Sequence, residues 1–306
     1  MDAFQNLLNT QITLLLLIFC GFALTKWKVI DKPFRVALTD FVVNFVLPCN
    51  IIKSFMQQFG DGVLLACVAI LVISAVTQVG TFLLGKLLYG KKQADRKPIL
   101  QYGTMVSNAA FLGNPIVEGL YGAQGLLYAS VYLIPQRIMM WSAGISCFTG
   151  TSGKGVVKKV LTHPCIVAVF VGLILMFTGL DLPDFLDKSL NMVGSCNTTL
   201  SLVVIGSILA ELDPRSILNK DAVLYCLLRL AVIPGLVFLG CRLFAVDTLV
   251  TQTATILAGM PAPIIAAMLA GKYEKDEGFA VSLVFLSTVV SMISIPALSL
   301  LMMGLS

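Results

Sequence analysis

Asn108-Ala-Ala-Phe-Leu-Gly113-Asn114-Pro115-Ile116-Val117-Glu118 and Ile256-Leu-Ala-Gly259-Met260-Pro261-Ala262-Pro263 are two apolar stretches interrupted by the same Gly-x-Pro signature. Proline inside a helix removes a backbone donor and clashes with the preceding turn, and an adjacent glycine lets the chain unwind. In hydrocarbon, unwound backbone survives only where protein buries it or where it lines a cavity. The two signatures are 146 positions apart, close to half of the 306 residues. Gly/Pro-interrupted spans at matching places in two halves are the sequence-level mark of a transporter binding site.

The surrounding chain is built for a bilayer. Hydrophobic residues make up 58% and charged residues 12%, with a mean hydropathy of +0.93. A soluble domain has roughly 45–50% apolar and about 25% charged residues. The apolar residues divide into ten stretches near 12–25, 34–55, 63–89, 99–120, 126–148, 164–178, 189–209, 223–244, 249–270 and 279–303. Each approaches the ~20 residues of a membrane span. The connections between them are short, so no soluble domain is expected. The first stretch lacks a basic n-region and is followed by Lys26-Trp27-Lys28, which predicts a retained helix rather than a signal peptide.

The net charge of +5 does not describe a nucleic-acid surface, because the charges are sorted by loop. Sixteen of the 21 Lys and Arg residues fall in the connections after spans one, three, five, seven and nine. The opposite connections hold Lys53, Lys188 and Arg242, while Arg137 and Arg229 lie inside spans. The positive-inside rule makes the sixteen-charge side cytoplasmic, with both termini extracytoplasmic. All eight cysteines lie in or beside apolar spans without a C-x-x-C pair, as small buried hydrophobes do. No metal or cofactor is expected, and ATP drive is not expected because no Walker motif is present.

Five spans per half turn the second half over, which gives an inverted repeat of residues 1–150 and 151–306. A second marker has nearly the same offset: Cys49-Asn50 in span two and Cys196-Asn197 in span seven are 147 apart. The fold expected is an all-α polytopic membrane protein of ten transmembrane helices, with helices four and nine broken and crossing. A short Gly/Lys-rich linker over 149–162 would join the halves.

Several short motifs carry a family resemblance. They are Asn44-Phe-Val-Leu47-Pro48, Asn108-x-x-Phe-Leu-Gly113-x-Pro115, Arg229-Leu-x-x-x-Pro234, Met260-Pro261 with Leu269-Ala270-x-Lys272-Tyr273, and Ser287-Thr-x-x-Ser291-x-x-x-x-Pro296. Together they resemble the auxin efflux carrier (PIN-like) family, which includes bacterial malate and malonate permeases. The resemblance covers the whole chain, although the long cytoplasmic loop of the plant members has no counterpart. It implies export or import of an organic acid anion by an elevator-like homodimer. Helices one, two, six and seven would form its scaffold, and helices three to five and eight to ten its mobile transport domain.

The residues themselves point to the same cargo. Two half-helix starts expose amide hydrogens and positive dipole ends, and meeting in a low-dielectric cavity they favour an anion such as a small carboxylate. Pro115 and Pro261 suit the first position of each restarted helix. Gly113, Asn114 and Pro115 on one side and Gly259, Met260 and Pro261 on the other are the candidate binding residues. Asn114 either donates its amide to the carboxylate or caps its own half-helix. Met260 shapes an apolar wall.

Glu118 and Asn108 flank Asn114 at helical spacing and are coupling candidates. Glu118 either takes up a proton or serves as a first-turn carboxylate. Arg137 is a candidate for anion contact or for pairing with an acid such as Glu118. Arg229 is expected to pair with Glu211 or Asp221, or to reach the cytoplasmic surface. Asn44 and Asn50 either line the cavity or join helices. His163 precedes Pro164 at an interfacial helix start.

These features predict a secondary carrier of a dicarboxylate or auxin-like acid, coupled to a proton or sodium, in the plasma membrane. It is not expected to be an enzyme: neither H-E-x-x-H nor G-x-S-x-G occurs. An anion channel and a ligand-sensing receptor are the alternatives on the same scaffold.

Overall fold

The computed structural model describes residues 2–56, 62–90, 92–149, 161–180, 182–210 and 219–305. Lys91, the linker residues Lys154, Lys158 and Lys159, and also Glu211 and Arg215 lie outside the described residues. All regular structure is helical, with no strand among the described residues. The α-helices are α1 (Asp2–Lys26), α2 (Lys32–Phe41), α3 (Leu47–Phe55), α4 (Val63–Tyr89), α5 (Lys97–Met105), α6 (Asn114–Met139), α7 (Ile145–Thr149), α8 (Pro164–Thr178), α9 (Asp184–Gly194), α10 (Cys196–Ala210), α11 (Lys220–Leu227), α12 (Ile233–Leu243), α13 (Thr248–Ala258), α14 (Ile265–Lys272) and α15 (Glu277–Leu305).

Among the described residues, five runs are long and apolar enough to cross a membrane: Lys32–Lys53, Val63–Tyr89, Asp184–Ala210, Lys220–Leu243 and Glu277–Met302. Leu15–Lys26, Pro164–Thr178 and Thr248–Ala258 are shorter apolar helices. In α4 the usual amphipathic pattern is inverted. Ser74, Thr77, Gln78 and Thr81 are buried, while Leu65, Val72, Val76, Leu83 and Leu87 are exposed. Water would penalise that arrangement, and hydrocarbon favours it.

Four π-helical turns occur among the described residues, at Val42–Val46, Ala109–Gly113, Met140–Gly144 and Leu228–Val232. Three of them end two residues before a proline: Pro48, Pro115 and Pro234. The proline ring collides with the carbonyl four residues back and offers no N–H. A wider turn moves that carbonyl aside, so the helix continues with a bulge instead of ending. At Gly122 the backbone leaves helical geometry (φ 64°, ψ −155°), a conformation that only glycine adopts freely. That departure falls in the interval expected between spans four and five.

The chain forms two compact units. The first comprises Met1–Leu64, Phe111–Val131 and Leu161–Glu211. Within it, α1 and α10 touch backbone to backbone. A Cβ on Gly21 would lie 2.0 Å from the Val203 carbonyl oxygen, and one on Gly206 would lie 1.8 Å from that of Ile18. Without a hydrophobic drive between helices in lipid, close packing over small residues holds such pairs together. Arg35 is buried here and donates to the Ser207 carbonyl at 3.3 Å.

The second unit comprises Leu65–Ala110, Tyr132–Val160 and Leu212–Ser306. Its core joins Tyr102 and Met105 of α5 to Tyr225 of α11, Ala266 of α14 and Leu283 of α15. The Tyr225 hydroxyl donates to the Gly103 carbonyl at 2.9 Å. Ion pairs gather on its loops: Lys92 with Asp221, Arg96 with Asp276 at 2.8 Å, and Lys275 with Asp95 at 3.6 Å. Partial burial pushes the Asp276 carboxyl upward, but the Phe279 N–H and the Arg96 guanidinium outweigh it and hold it below its usual value.

Candidate functional site

In the second unit α13 ends at Ala258, residues 260–263 have no regular structure, and α14 begins at Ile265. Pro261 and Pro263 force the residues before them out of the helical region, so the unwinding extends over both. Pro261 therefore lies inside the unwound segment, not at the first helical position expected for it. Gly259 has ordinary backbone angles (φ −84°, ψ 5°), so conformation does not require glycine. The space around it is tight: a Cβ would approach Pro234 to 3.3 Å and Leu298 to 3.4 Å.

At the first signature the interruption lies ahead of its expected place. α5 ends at Met105, Val106 is extended (φ −102°, ψ 129°), and the π turn Ala109–Gly113 resumes the helix. The irregular residues are thus Val106, Ser107 and Asn108, ahead of Gly113. Pro115 sits within a continuing helical run, again not at its start.

Hydrogen bonds tie these segments together inside the second unit. The Asn108 N–H donates to the Pro261 carbonyl at 2.9 Å. The Ser107 hydroxyl donates to the Leu257 carbonyl at 3.1 Å, and the Gln136 amide donates to the Ser107 carbonyl at 2.6 Å. The Ala262 N–H donates to the Ser287 hydroxyl at 3.1 Å. Because Pro261 and Pro263 carry no N–H, residues 261–263 leave no free amide for a ligand. This side of the expected cradle is thinner than the dipole picture predicts. Met260 is fully buried.

Arg229 does not take the acidic partner expected for it. Asp221 is engaged by Lys92, and Glu211 lies outside the described residues. Arg229 is 1% exposed, with Nε donating to the Met260 carbonyl at 3.0 Å and Nη1 to the Thr104 carbonyl at 2.7 Å. The motif residues Arg229, Pro234 and Ser287 therefore all reach the segment Gly259–Ala262, which their separation in sequence conceals.

Gly113, Asn114, Pro115 and Glu118 belong to the first unit. Asn114 is 0% exposed, and neither its amide oxygen nor its amide nitrogen has a partner among the described residues. It does not cap a helix, since the π turn already precedes it. Glu118, half-buried one turn on, is surrounded by donors. Asn50 Nδ2 lies 3.0 Å from each carboxylate oxygen, the Thr198 hydroxyl donates at 2.9 Å and Asn197 Nδ2 at 3.4 Å. The two asparagines are those of the paired Cys-Asn marker. Sequence alone raised Asn50 as a candidate but missed Thr198, which lies 80 positions from Glu118.

The remaining candidates are more dispersed. Asn44 is exposed on the π turn Val42–Val46, without a hydrogen-bond partner among the described residues. Arg137, in the second unit, is half-buried with Nη1 3.6 Å from the Met140 sulfur, and it forms no ion pair among the described residues. His163 caps α8, its Nδ1 accepting from the Cys165 N–H at 3.3 Å. A cavity of about 760 Å³ between α4 and α12 is lined by side chains such as Val76, Leu236 and Phe244. It offers no charged group to a carboxylate and suits hydrocarbon instead.

Known proteins bear on this arrangement. The profile of a family described as membrane transport protein matches residues 7–159 and again 148–299. A protein of Methanothermobacter thermautotrophicus named as an uncharacterized transporter is 25% identical over 305 residues, covering 98% of this chain and 99% of its own. An uncharacterized transporter of Methanocaldococcus jannaschii is 22% identical over 303 residues, covering 94% and 96%.

Proposed function

The chain belongs to the membrane transport protein family, which takes in the auxin efflux carriers, and on that footing we propose that it is a secondary active transporter of a small organic carboxylate. The observation that carries the reading is Asn114: a fully buried amide with neither polar atom satisfied. Buried polar groups are hydrogen-bonded with few exceptions, and a bound species is one way to satisfy such a group. A carboxylate accepts from such an amide with charge-assisted strength.

In this reading the ten spans are two inverted five-helix repeats, and the anion lies where the interrupted helices four and nine cross. Gly113, Asn114 and Pro115 serve it from one repeat, Gly259, Met260 and Pro261 from the other. Arg137 remains a candidate for contact with the anion. Glu118 is the coupling acid. Asn50, Asn197 and Thr198 all donate to its carboxyl, so a change there is felt by the helices that carry them. The carrier works as a homodimer in the plasma membrane with both termini outside. Helices three to five and eight to ten move the cargo in an elevator-like way against helices one, two, six and seven.

A panel of radiolabelled dicarboxylates and auxin-like acids, offered to proteoliposomes under imposed proton, sodium and electrical gradients, tests this reading. Saturable uptake of at least one acid sustains it. Conductance without saturable uptake would establish a channel, and ligand binding without flux a receptor.

A further inference from the structure

Arg229 stands at the meeting point of two helix ends of the same polarity. Thr104 lies in the last turn of α5, and Met260 lies just past the end of α13. Their carbonyls face the guanidinium at 2.7 and 3.0 Å. Carbonyls at a helix C-terminus carry the negative end of the dipole and lack intrahelical partners. Two such ends converging in a buried place form the arrangement by which discontinuous membrane helices hold Na⁺. Here the charge is already supplied by the chain, at a side chain 1% exposed. The π turn Leu228–Val232 carries Arg229, and Pro234 two residues beyond it packs on Gly259. The element that delivers the cation is thus braced against the segment that receives it.

We propose that Arg229 is a tethered cation, occupying the place where a transporter with paired interruptions would otherwise bind a metal ion. The inference deepens the carrier reading and rests on it for its meaning in transport. The pair of carbonyl ends is neutralised permanently, so no dissociable cation has to enter there with each cycle. The negative ends are also screened from an anionic cargo. A coupling ion, if a proton, then acts at Glu118 alone.

The test is thermal unfolding of purified protein in equal concentrations of NaCl or choline chloride, for wild type, Arg229→Lys and Arg229→Gln. Removing the charge leaves two buried carbonyls unpaired, so Arg229→Gln should unfold roughly 5–10 °C below wild type in choline chloride. Sodium should recover at least half of that loss, a shift well beyond any that it produces in wild type. Arg229→Lys keeps the charge and should show no such gain. Equal sodium shifts in wild type and Arg229→Gln would overturn the proposal, as would equal destabilisation by Lys and Gln. If Arg229→Gln does not fold in either salt, a folded Arg229→Lys sustains the proposal and failure of both variants overturns it. No transported acid enters this measurement, so its failure would leave the carboxylate reading standing.

Discussion

Asn114 and Glu118 are one helical turn apart, yet they are treated oppositely by their surroundings. Every described bond around Glu118 is made, whereas the Asn114 amide makes none. Replacing Asn114 by alanine therefore removes no internal bond. The variant should keep its unfolding temperature within about 2 °C, while the apparent KM for the transported acid rises on the order of tenfold or more. An intact KM with a lowered unfolding temperature would return Asn114 to a structural role. Glu118→Gln keeps size but not charge. Counterflow of labelled acid should persist in it while proton-driven accumulation is lost, and accumulation at the wild-type level would remove Glu118 from coupling. Sequence made both residues legible because their spacing from Gly113-x-Pro115 is local. It could not show Thr198 and Asn197 closing on Glu118. It also misassigned Arg229, because charge pairing in a sequence is sought among acids, and carbonyl ends carry no letter.

Among elements, proline spacing organises the helices more than glycine flexibility does. The turns ahead of Pro48, Pro115 and Pro234 bulge without breaking, while the doublet Pro261 and Pro263 unwinds a whole segment. Pro261→Ala frees Met260 to enter the helical region, which would move its carbonyl off Arg229. Flux should fall more than tenfold, and activity near wild type would contradict the role given to the interruption. The glycines act by proximity instead. Gly206→Val must push α10 off the backbone of α1, and should lower the unfolding temperature by on the order of 10 °C or prevent folding. Gly240→Ala meets nothing within 4 Å and should be tolerated. At α15, the lowered Asp276 carboxyl contributes stability that is fully present above its unfolded value of about 3.9 and fades as pH falls through its folded value. The pair is about a third exposed, so Asp276→Ala should cost about 1 kcal/mol or less at neutral pH, and less again in acid. Hydropathy located most of these helices. The Gly-x-Pro signature found the second interruption at the residues that unwind, 260–263, but set the first a few residues late, because hydrogen bonds such as that from Asn108 to Pro261 decide where a helix stops.

At the scale of the molecule, a membrane transport protein has to bind its cargo in a place shielded from lipid and reachable from water. The inverted amphipathicity of α4, polar within and apolar without, suits the lipid surround that the first requirement assumes. The second is met, in the reading offered here, by a carboxylate held against Asn114 and released to alternate sides. Trans-stimulation separates that cycle from a pore, since a carrier returns faster when loaded. The decisive measurement is uptake of each radiolabelled acid of the panel into proteoliposomes with and without the same unlabelled acid inside, for wild type and Asn114→Ala in parallel. Uptake of at least one acid that saturates, accelerates with that acid inside and shifts to higher concentration in Asn114→Ala is the expected result. Uptake that stays linear with concentration and indifferent to internal acid across the whole panel would contradict it.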